Sequence, residues 1–193
     1  RNRTIVSMKR KSTIAFIGDL TVDRYVNRGD IKLGGAALNS AIWTKRQGAA
    51  TSIVTAVGND EDGNRFLEKL KLEGIDFSHV HVLHGSTSSI EIFVNSTGER
   101  RYGVWDPGSL AQYHLSKQDI RFFKKQDAVS VTVYPQFVHI LDELRSVTRS
   151  RRKKLLVSIN YGDLGEFGGN KSVVMEYLGV ADMLVFGLDK DTD

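Results

Sequence analysis

The sequence predicts an α/β fold, with a mostly parallel, doubly wound β-sheet, helices on both faces and a small second sheet. Three observations lead to this prediction. Short apolar runs alternate along the chain with stretches of helical periodicity, which is typical of strand–helix–strand units. The apolar runs are nearly continuous, as in parallel strands that are covered on both faces. Two extended segments interrupt the alternation and do not fit inside a parallel sheet.

Six apolar runs are predicted strands, namely residues 13–17, 52–57, 80–83, 128–133, 155–159 and 183–186. The spacing of apolar residues predicts helices over residues 36–47, 62–72, 116–124 and 136–150, with a further one near 173–178. Ser116 is a good N-cap for the third helix, because its hydroxyl can accept a hydrogen bond from a free backbone N–H.

The two extended segments, residues 24–34 and 86–106, are predicted to form the small sheet. In the second segment apolar residues alternate with polar ones, and Ser96-Thr97-Gly98 supplies a turn between two strands. Residues 1–12 are expected to be a basic disordered tail, and residues 13–193 to be the folded part.

The composition excludes several classes of function. The chain has 193 residues and no cysteine, which rules out a disulfide framework, a thiolate zinc site and a cysteine nucleophile. The same feature is compatible with a cytoplasmic location. No segment reaches the roughly 18 apolar residues of a membrane helix, so no membrane partner is expected. No serine lies in a Gly-x-Ser-x-Gly elbow, which argues against a hydrolase of that type.

The net charge of +4 comes from two short basic clusters, one within the first 11 residues and one over residues 149–154. Removing these ten cations leaves a net charge of −6, so the body of the chain is mildly acidic. Charge confined to a tail and a predicted helix end does not favour nucleic-acid binding, although a binder acting through the tail remains an alternative.

The first motif with possible chemistry, Gly18-Asp19-Leu20-Thr21-Val22-Asp23, directly follows the first predicted strand. Ligands of open α/β sheets bind beyond the carboxyl ends of the strands, which is a good position for a carboxylate. An Asp there can accept charge-assisted hydrogen bonds from two vicinal sugar hydroxyls. A simple turn with an Asp as local acceptor explains the motif equally well.

The second motif, Gly34-Gly35-Ala36-Ala37-Leu38-Asn39, opens the first predicted helix. Paired glycines let the backbone approach a ligand above the helix N-terminus, and the Asn39 amide can donate and accept at a hydroxyl. It is neither the dinucleotide fingerprint nor a phosphate P-loop, since both need a different glycine pattern. Taken alone, it is better explained as a flexible turn.

The third motif, Gly58-Asn59-Asp60-Glu61-Asp62-Gly63, joins a strand end to a helix start with acidic residues in the first turn. By itself it is interpreted as a structural turn.

In their order and spacing these three motifs resemble the N-terminal half of the ribokinase-like (PfkB) carbohydrate kinases. The similarity continues through Ser78-His79-Val80 and residues 86–100, and it covers roughly residues 13 to 186. Within that family the chain looks most similar to the fructoselysine kinases. The resemblance implies that residues 13–193 form the N-terminal part of an incomplete ribokinase-like domain.

The resemblance also implies roles for individual residues. Asp23 matches the family's Asp that binds sugar hydroxyls, and Gly34, Gly35 and Asn39 match its substrate-binding signature. Thr21 falls at a position that often contacts the sugar.

The extended segments match the family's β-lid, which covers the sugar and often mediates dimerisation. Ile92, Arg100 and Trp105 are then lid residues, with Trp105 either over the substrate or packed within the lid. The implied partners are a small-molecule sugar and a second copy of the chain. Tyr134 stands where ribose-specific members have a Glu, as in fructoselysine-type members, so it is assigned to substrate binding and argues against ribose.

Other departures concern catalysis. Asp189 stands where many members have the Glu of an Asn-x-x-Glu motif, which organises the metal and phosphates. Nothing in the chain resembles the family's Gly-Ala-Gly-Asp anion hole with its catalytic Asp. No catalytic residue is therefore expected in this chain, and most of the site for the implied ATP and Mg²⁺ is expected to be missing.

The resulting hypothesis is a truncated, inactive part of a kinase that phosphorylates a sugar or glycated amine of the fructoselysine type. The alternative is a non-catalytic remnant that binds a sugar or a subunit. His79, His81 and His84 cluster in the sequence, but their strand spacing favours packing or surface roles, so no metal site is predicted.

Overall fold

A computed structural model of the protein describes residues 10–149, 155–163, 165 and 171–187. Most of the predicted tail, the greater part of the second basic cluster and Asp189 lie outside these residues. The end of the predicted tail belongs to the folded part, because the guanidinium group of Arg10 donates to both carboxylate oxygens of Asp127, at 2.5 and 2.7 Å.

Within the described residues the chain forms ten β-strands and five α-helices. In chain order these are β1 (Thr13–Ile17), β2 (Thr21–Tyr25), β3 (Asp30–Gly34), α1 (Ala36–Arg46), β4 (Ala50–Gly58), α2 (Glu61–Glu73), β5 (Asp76–Leu83), β6 (Ser89–Val94), β7 (Arg100–Asp106), α3 (Lys117–Phe123), β8 (Ala128–Thr132), α4 (Ile140–Arg149), β9 (Leu156–Asp163), α5 (Lys171–Glu176) and β10 (Met183–Gly187). Short 3₁₀ turns at Gly108–Gln112 and Pro135–Phe137 precede α3 and α4.

The main sheet has six strands in the order β10-β9-β8-β1-β4-β5, and every neighbouring pair is parallel. Strand β1 is buried on both faces because helices cover both sides of the sheet. Ala15 and Ile17 pack in one core cluster with residues of α3 and α4, whereas Phe16 packs in a second cluster with residues of α1 and α2. The predicted α/β class with a parallel sheet and two helical layers is therefore confirmed.

The second sheet has four strands in the order β3-β2-β6-β7. Strands β2 and β3 form one antiparallel hairpin, β6 and β7 form another, and β2 joins them by parallel pairing with β6. The first extended segment begins at Thr21, earlier than the predicted residue 24. The reason is long-range pairing: the Val22 N–H donates to the carbonyl of Ser88, at 2.8 Å, and draws the chain into the small sheet.

The other element predictions agree closely, with two corrections: β5 begins at Asp76, four residues before the predicted start at 80, and α4 begins later than predicted. Ser116 caps α3 as predicted, and it forms a capping box with Asp119. The helix predicted from residue 136 begins at Ile140, because Pro135 starts a 3₁₀ turn instead. Proline fits the first position of such a turn, where no backbone N–H is needed.

Candidate functional site

The candidate site lies where the carboxyl ends of β1 and β8 meet the small sheet and the start of α1. Asp19 follows β1, and Tyr134 follows β8, its neighbour in the sheet. Because parallel strands end at the same edge, residues far apart in sequence are brought to one place.

Asp19 is the central buried group, with only 4% of its surface exposed. Its carboxylate accepts hydrogen bonds from the Thr21 hydroxyl at 3.1 Å and from the Ala36 N–H at 3.1 Å, and it also bonds the Tyr134 side chain. The Ala36 N–H is one of the free donors at the start of α1, which its N-cap Gly35 cannot satisfy with a side chain. Asp19 thus caps α1 from the segment between β1 and β2. Burial raises its pKa, although these hydrogen bonds oppose the shift.

A chain of hydrogen bonds leads from the small sheet to Asp19. The Trp105 indole N–H donates to the Ser88 hydroxyl at 3.0 Å, and the Ser88 and Thr21 hydroxyls are 2.9 Å apart. Since the one Thr21 proton goes to Asp19, Ser88 donates to Thr21, and all donors point towards the carboxylate. The Trp105 ring also contacts the Tyr134 ring, with centroids 4.9 Å apart.

Asp23 differs from Asp19 in having no hydrogen bond or ion pair with any residue that the structure describes. It lies in β2, is half-buried and pairs across the hairpin with Lys32. Burial raises the pKa of Asp23; the charge of Arg100 opposes this shift, and the charge of Asp19 reinforces it. The site therefore holds two carboxylates, one occupied by protein donors and one available to a ligand.

Glycine is needed at positions 34 and 35 because the backbone there lies very close to Asp23 and Asp19. A Cβ on Gly34 would lie 2.7 and 2.8 Å from the two Asp23 carboxylate oxygens. A Cβ on Gly35 would overlap the Asp19 carbonyl oxygen, and the φ of +108° at Gly35 also disfavours any side chain. Both glycines therefore border the carboxylates, a contact that the paired-glycine motif alone did not predict.

The structure does not bring the remaining predicted residues into the same contacts. Asn39 lies one turn into α1, with its side chain exposed and without a hydrogen bond to any described residue. Ile92 is buried within the small sheet, with 1% of its surface exposed. Arg100 is exposed at the start of β7, 5.8 Å from the centre of the Tyr25 ring, and acts on Asp23 only through its charge.

The Gly58–Gly63 motif forms hydrogen bonds with Thr87, in the segment that leads into β6 of the small sheet. Asp60 caps α2 through the Gly63 N–H at 2.8 Å and accepts the Thr87 N–H at 2.7 Å, and the Thr87 hydroxyl accepts the Gly58 N–H at 3.0 Å. Burial raises the pKa of Asp60, but the hydrogen bonds from Thr87 and Gly63 outweigh it and lower the pKa overall. These contacts agree with the interpretation of a structural turn, and they add that the turn fastens the chain just before β6.

A second buried carboxylate, Asp119, lies away from this site. Its oxygens accept the Ser116 hydroxyl at 2.6 Å and the Tyr113 hydroxyl at 3.1 Å, and they lie 2.6 Å from His79 Nδ1 and 3.2 Å from His81 Nε2. His79 also stacks on Phe122, with ring centroids 4.1 Å apart. These contacts are those of packing, the role that the sequence favoured for the two histidines.

Sequence reasoning included Asp19 in the first motif but assigned the site role to Asp23 alone, and it missed Ser88. The position of Asp19 immediately after a buried strand placed it at the ligand-binding edge without showing its role. Ser88 gave no signal, since its contacts with Thr21 and Trp105 depend on the pairing of β2 with β6.

None of the helices in the described part of the chain is long and apolar enough to cross a membrane.

Comparison with solved structures defines the class of the fold. A sugar kinase from Pyrococcus horikoshii in complex with ATP matches with a TM-score of 0.72 at 19% identity, over 89% of this chain and 62% of that chain. The ribokinase from Thermotoga maritima matches with a TM-score of 0.63 at 19% identity, over 91% of this chain and 59% of that one. The chain thus has a ribokinase-like fold.

The family model of the pfkB family carbohydrate kinases matches residues 11–188. This chain belongs to that family, which confirms the resemblance.

Among curated relatives, the fructoselysine 6-kinase of Escherichia coli K12 is 32% identical over 122 residues, covering 63% of this chain. The fructosamine kinase FrlD of Bacillus subtilis is 28% identical over 131 residues, covering 66% of this chain. The chain spans 46% of the length of each of these two relatives.

Proposed function

We propose that this chain provides the sugar-binding part of an ATP-dependent carbohydrate kinase, whose substrate is a fructosamine such as fructoselysine. One observation carries the proposal. Asp23 is a half-buried carboxylate that accepts no hydrogen bond from a described residue, while neighbouring Asp19 is fully engaged by donors. A partly buried carboxylate without hydrogen-bond donors is unfavourable, so the arrangement suits a ligand that brings hydroxyl donors.

The described residues suggest how the sugar would be held. Asp23 would accept hydrogen bonds from two vicinal hydroxyls, and the absence of side chains at Gly34 and Gly35 would let the sugar approach the backbone. The small sheet would cover the sugar, with Trp105 and Tyr134 as an aromatic wall. Such a cover excludes water, which would otherwise compete with the sugar hydroxyl as phosphoryl acceptor.

The substrate class rests on two arguments. Two relatives that match over more than 60% of this chain are named fructoselysine 6-kinase and fructosamine kinase. Tyr134, which the sequence comparison with ribose-specific members singled out, contacts Trp105 and bonds to Asp19 at the site. An aromatic residue here supports a substrate other than ribose.

We include ATP and Mg²⁺ in the proposal because of the family to which the chain belongs, and not because of contacts among the described residues. Asp19 is a poor ligand for Mg²⁺, because Thr21, Ala36 and Tyr134 already donate to its oxygens. Among the described side chains, the one group suited to hold a metal does not include Asp19 or Asp23. The described residues do not fit an ATP–Mg²⁺ site, and no catalytic step is assigned to them.

We also propose that the chain dimerises through the small sheet. Four large apolar side chains of this sheet are exposed: Val26 and Ile31 in and near the first hairpin, and Tyr102 and Val104 on β7. Tyr102 and Val104 are 63% and 72% exposed and lie two residues apart on an edge strand. Exposed apolar groups gathered on one small sheet support an interaction surface.

The decisive experiment is calorimetric titration of fructoselysine into the wild-type protein and into Asp23→Asn. Loss of a charged hydrogen-bond acceptor costs about 1.5–3 kcal/mol, so we expect the Kd to rise by about 10- to 100-fold. Asp30→Asn is the matched control, because Asp30 is an exposed Asp in the same hairpin, and it should leave the Kd unchanged. Equal binding by wild type and Asp23→Asn, or no binding of fructoselysine by the wild type, would contradict the proposal.

Thermal melting separates the kinase from the alternative of a non-catalytic sugar-binding remnant. A ligand that binds the folded state raises the melting temperature. Stabilisation by both fructoselysine and ATP supports the kinase, whereas ADP release when the two are mixed would contradict the expectation that the catalytic part is missing from this chain. Stabilisation by the sugar alone, without ADP release, favours the remnant.

A further inference from the structure

Outside the sugar site, two histidines and a glutamate converge between α3 and α4. His114 lies just before α3, His139 lies just before α4, and Glu143 is in the first turn of α4. Each offers one ligand atom, and these atoms all lie within 4.8 Å of one another. All five histidines of the chain lie in the described residues, and this is the one group of three or more potential metal-ligating side chains found there.

The backbone fixes two of the three side chains. His139 Nε2 is 2.9 Å from the Tyr113 carbonyl oxygen, and because a carbonyl only accepts, Nε2 carries the proton. The lone pair of His139 is therefore on Nδ1. Glu143 is oriented through Oε2, which accepts the Leu115 N–H at 2.6 Å. A backbone carbonyl that receives the second ring N–H is the usual support of a metal-binding histidine.

The third side chain, His114, completes the group. Its Nδ1 lies 2.6 Å from Glu143 Oε1, and its ring centroid is 4.8 Å from that of His139. A surface ion pair explains the contact of His114 with Glu143, whereas His139 is held beside them by its own hydrogen bond to the Tyr113 carbonyl. Asp119, which contacts His79 and His81, is less suited to bind a metal. Its carboxylate already accepts hydrogen bonds from Ser116 and Tyr113.

We propose that His114, His139 and Glu143 bind a divalent transition metal, with Zn²⁺ as the best candidate. Two imidazole nitrogens and one carboxylate oxygen suit zinc, and a water molecule would take the fourth position. Zinc bonds of about 2.0–2.1 Å in a tetrahedron require ligand atoms roughly 3.3 Å apart. The His114 side chain is 68% exposed, and metal binding would displace the proton that its Nδ1 shares with Glu143.

A metal at this position would join two segments that lead away from the sugar site. His114 lies on the chain that follows Trp105 and β7, and His139 lies on the chain that follows Tyr134 and β8. The bound ion would cross-link these segments at their far ends and stabilise the folded state. This role is independent of the proposed sugar binding.

The test is titration of Zn²⁺ and Co²⁺ into the protein after treatment with a chelator. We expect one equivalent of Zn²⁺ to bind, the melting temperature to rise, and Co²⁺ to give the visible absorption of a tetrahedral site. His114→Ala, His139→Ala and Glu143→Gln should each weaken binding at least tenfold. His84→Ala, an exposed histidine outside the group, should bind like the wild type.

The variants also identify the outcomes that would overturn the proposal. His114→Ala removes an exposed side chain and should keep the far-ultraviolet circular dichroism and metal-free melting temperature of the wild type. Loss of zinc in His81→Ala instead of His114→Ala would assign the metal to Asp119 with His79 and His81. Undiminished binding in His114→Ala, or no binding by the wild type, would also refute the site.

Discussion

Gly34 lies directly against Asp23, so that a methyl group on Gly34 would be 2.7 Å from one carboxylate oxygen of Asp23 and 2.8 Å from the other. The two residues come from opposite strands of the β2–β3 hairpin, where Gly34 pairs with Thr21. The Asp23 carboxylate can therefore keep its position only because residue 34 has no side chain.

Gly34→Ala should weaken sugar binding more than it weakens folding. The new methyl group meets the end of a side chain, which can rotate away, and not a fixed backbone atom. We expect the Kd for fructoselysine to rise about tenfold or more, since a displaced carboxylate loses hydrogen bonds to the sugar. Calorimetry measures this change. A Kd equal to that of the wild type would mean that the position of Asp23 is not important for binding.

Gly58→Ala should reduce stability, because the new Cβ would overlap backbone atoms of the segment between β5 and β6. Overpacking of this kind costs about 1–3 kcal/mol. Urea denaturation of Gly58→Ala and the wild type measures the free energy of unfolding. Gly179→Ala is the matched control, because a Cβ there would meet nothing within 4 Å. Equal losses in the two variants would contradict the role of Gly58 as a close-packing site.

The ionised Asp119 carboxylate should stabilise the fold at neutral pH and lose this effect in acid, so the cost of Asp119→Asn should depend on pH. Burial raises the pKa of Asp119, but hydrogen bonds from Ser116 and His79 outweigh it, so that the pKa is lowered overall. A carboxyl group with a lower pKa in the folded state stabilises the fold above the unfolded-state pKa of about 4, and this contribution is lost as the pH falls through the folded-state pKa.

At pH 7 we expect Asp119→Asn to unfold with a free energy lower by about 2–4 kcal/mol, because it leaves buried donors without a charged acceptor. Below about pH 4 the difference from the wild type should shrink. Urea denaturation at pH 7, 5 and 3.5 measures it, with Asp30→Asn as an exposed control. A difference that stays constant over this range would show that the ionised form of Asp119 is not what stabilises the fold.

Val104→Glu should dissociate a dimer formed through the small sheet, since a buried unpaired carboxylate at the contact is strongly unfavourable. Sedimentation equilibrium should give a dimer for the wild type and a monomer for the variant. Leu72→Glu, which changes an 85% exposed residue of α2 in the main body, should remain dimeric. A wild-type protein that is monomeric at every concentration would exclude the dimer.

Much of the fold could be predicted from local sequence. The bounds of β1 were predicted without error, and the N-cap of α3 was identified from Ser116 alone. Periodicity and capping succeed here because they depend on residues only a few positions apart. The start of α4 was predicted too early, since the 3₁₀ turn at Pro135 was read as part of the helix.

The candidate site was only partly predictable. The paired glycines and Asp23 stood out as a motif, but the sequence could not tell which of Asp19 and Asp23 is available to a ligand. That depends on donors from Tyr134, more than a hundred positions further along the chain, and from the first turn of α1. The group of His114, His139 and Glu143 was missed for the same reason, because two loops and a helix bring it together.

The sequence by itself determined the alternation of strands and helices, the family and the identity of the motif residues. Only the tertiary structure decided that Asp19 is used to cap α1 while Asp23 remains open beside Gly34. The physical reason is that hydrogen bonding at a parallel-sheet edge is settled by neighbours in space, whereas strand and helix patterns are settled by neighbours along the chain.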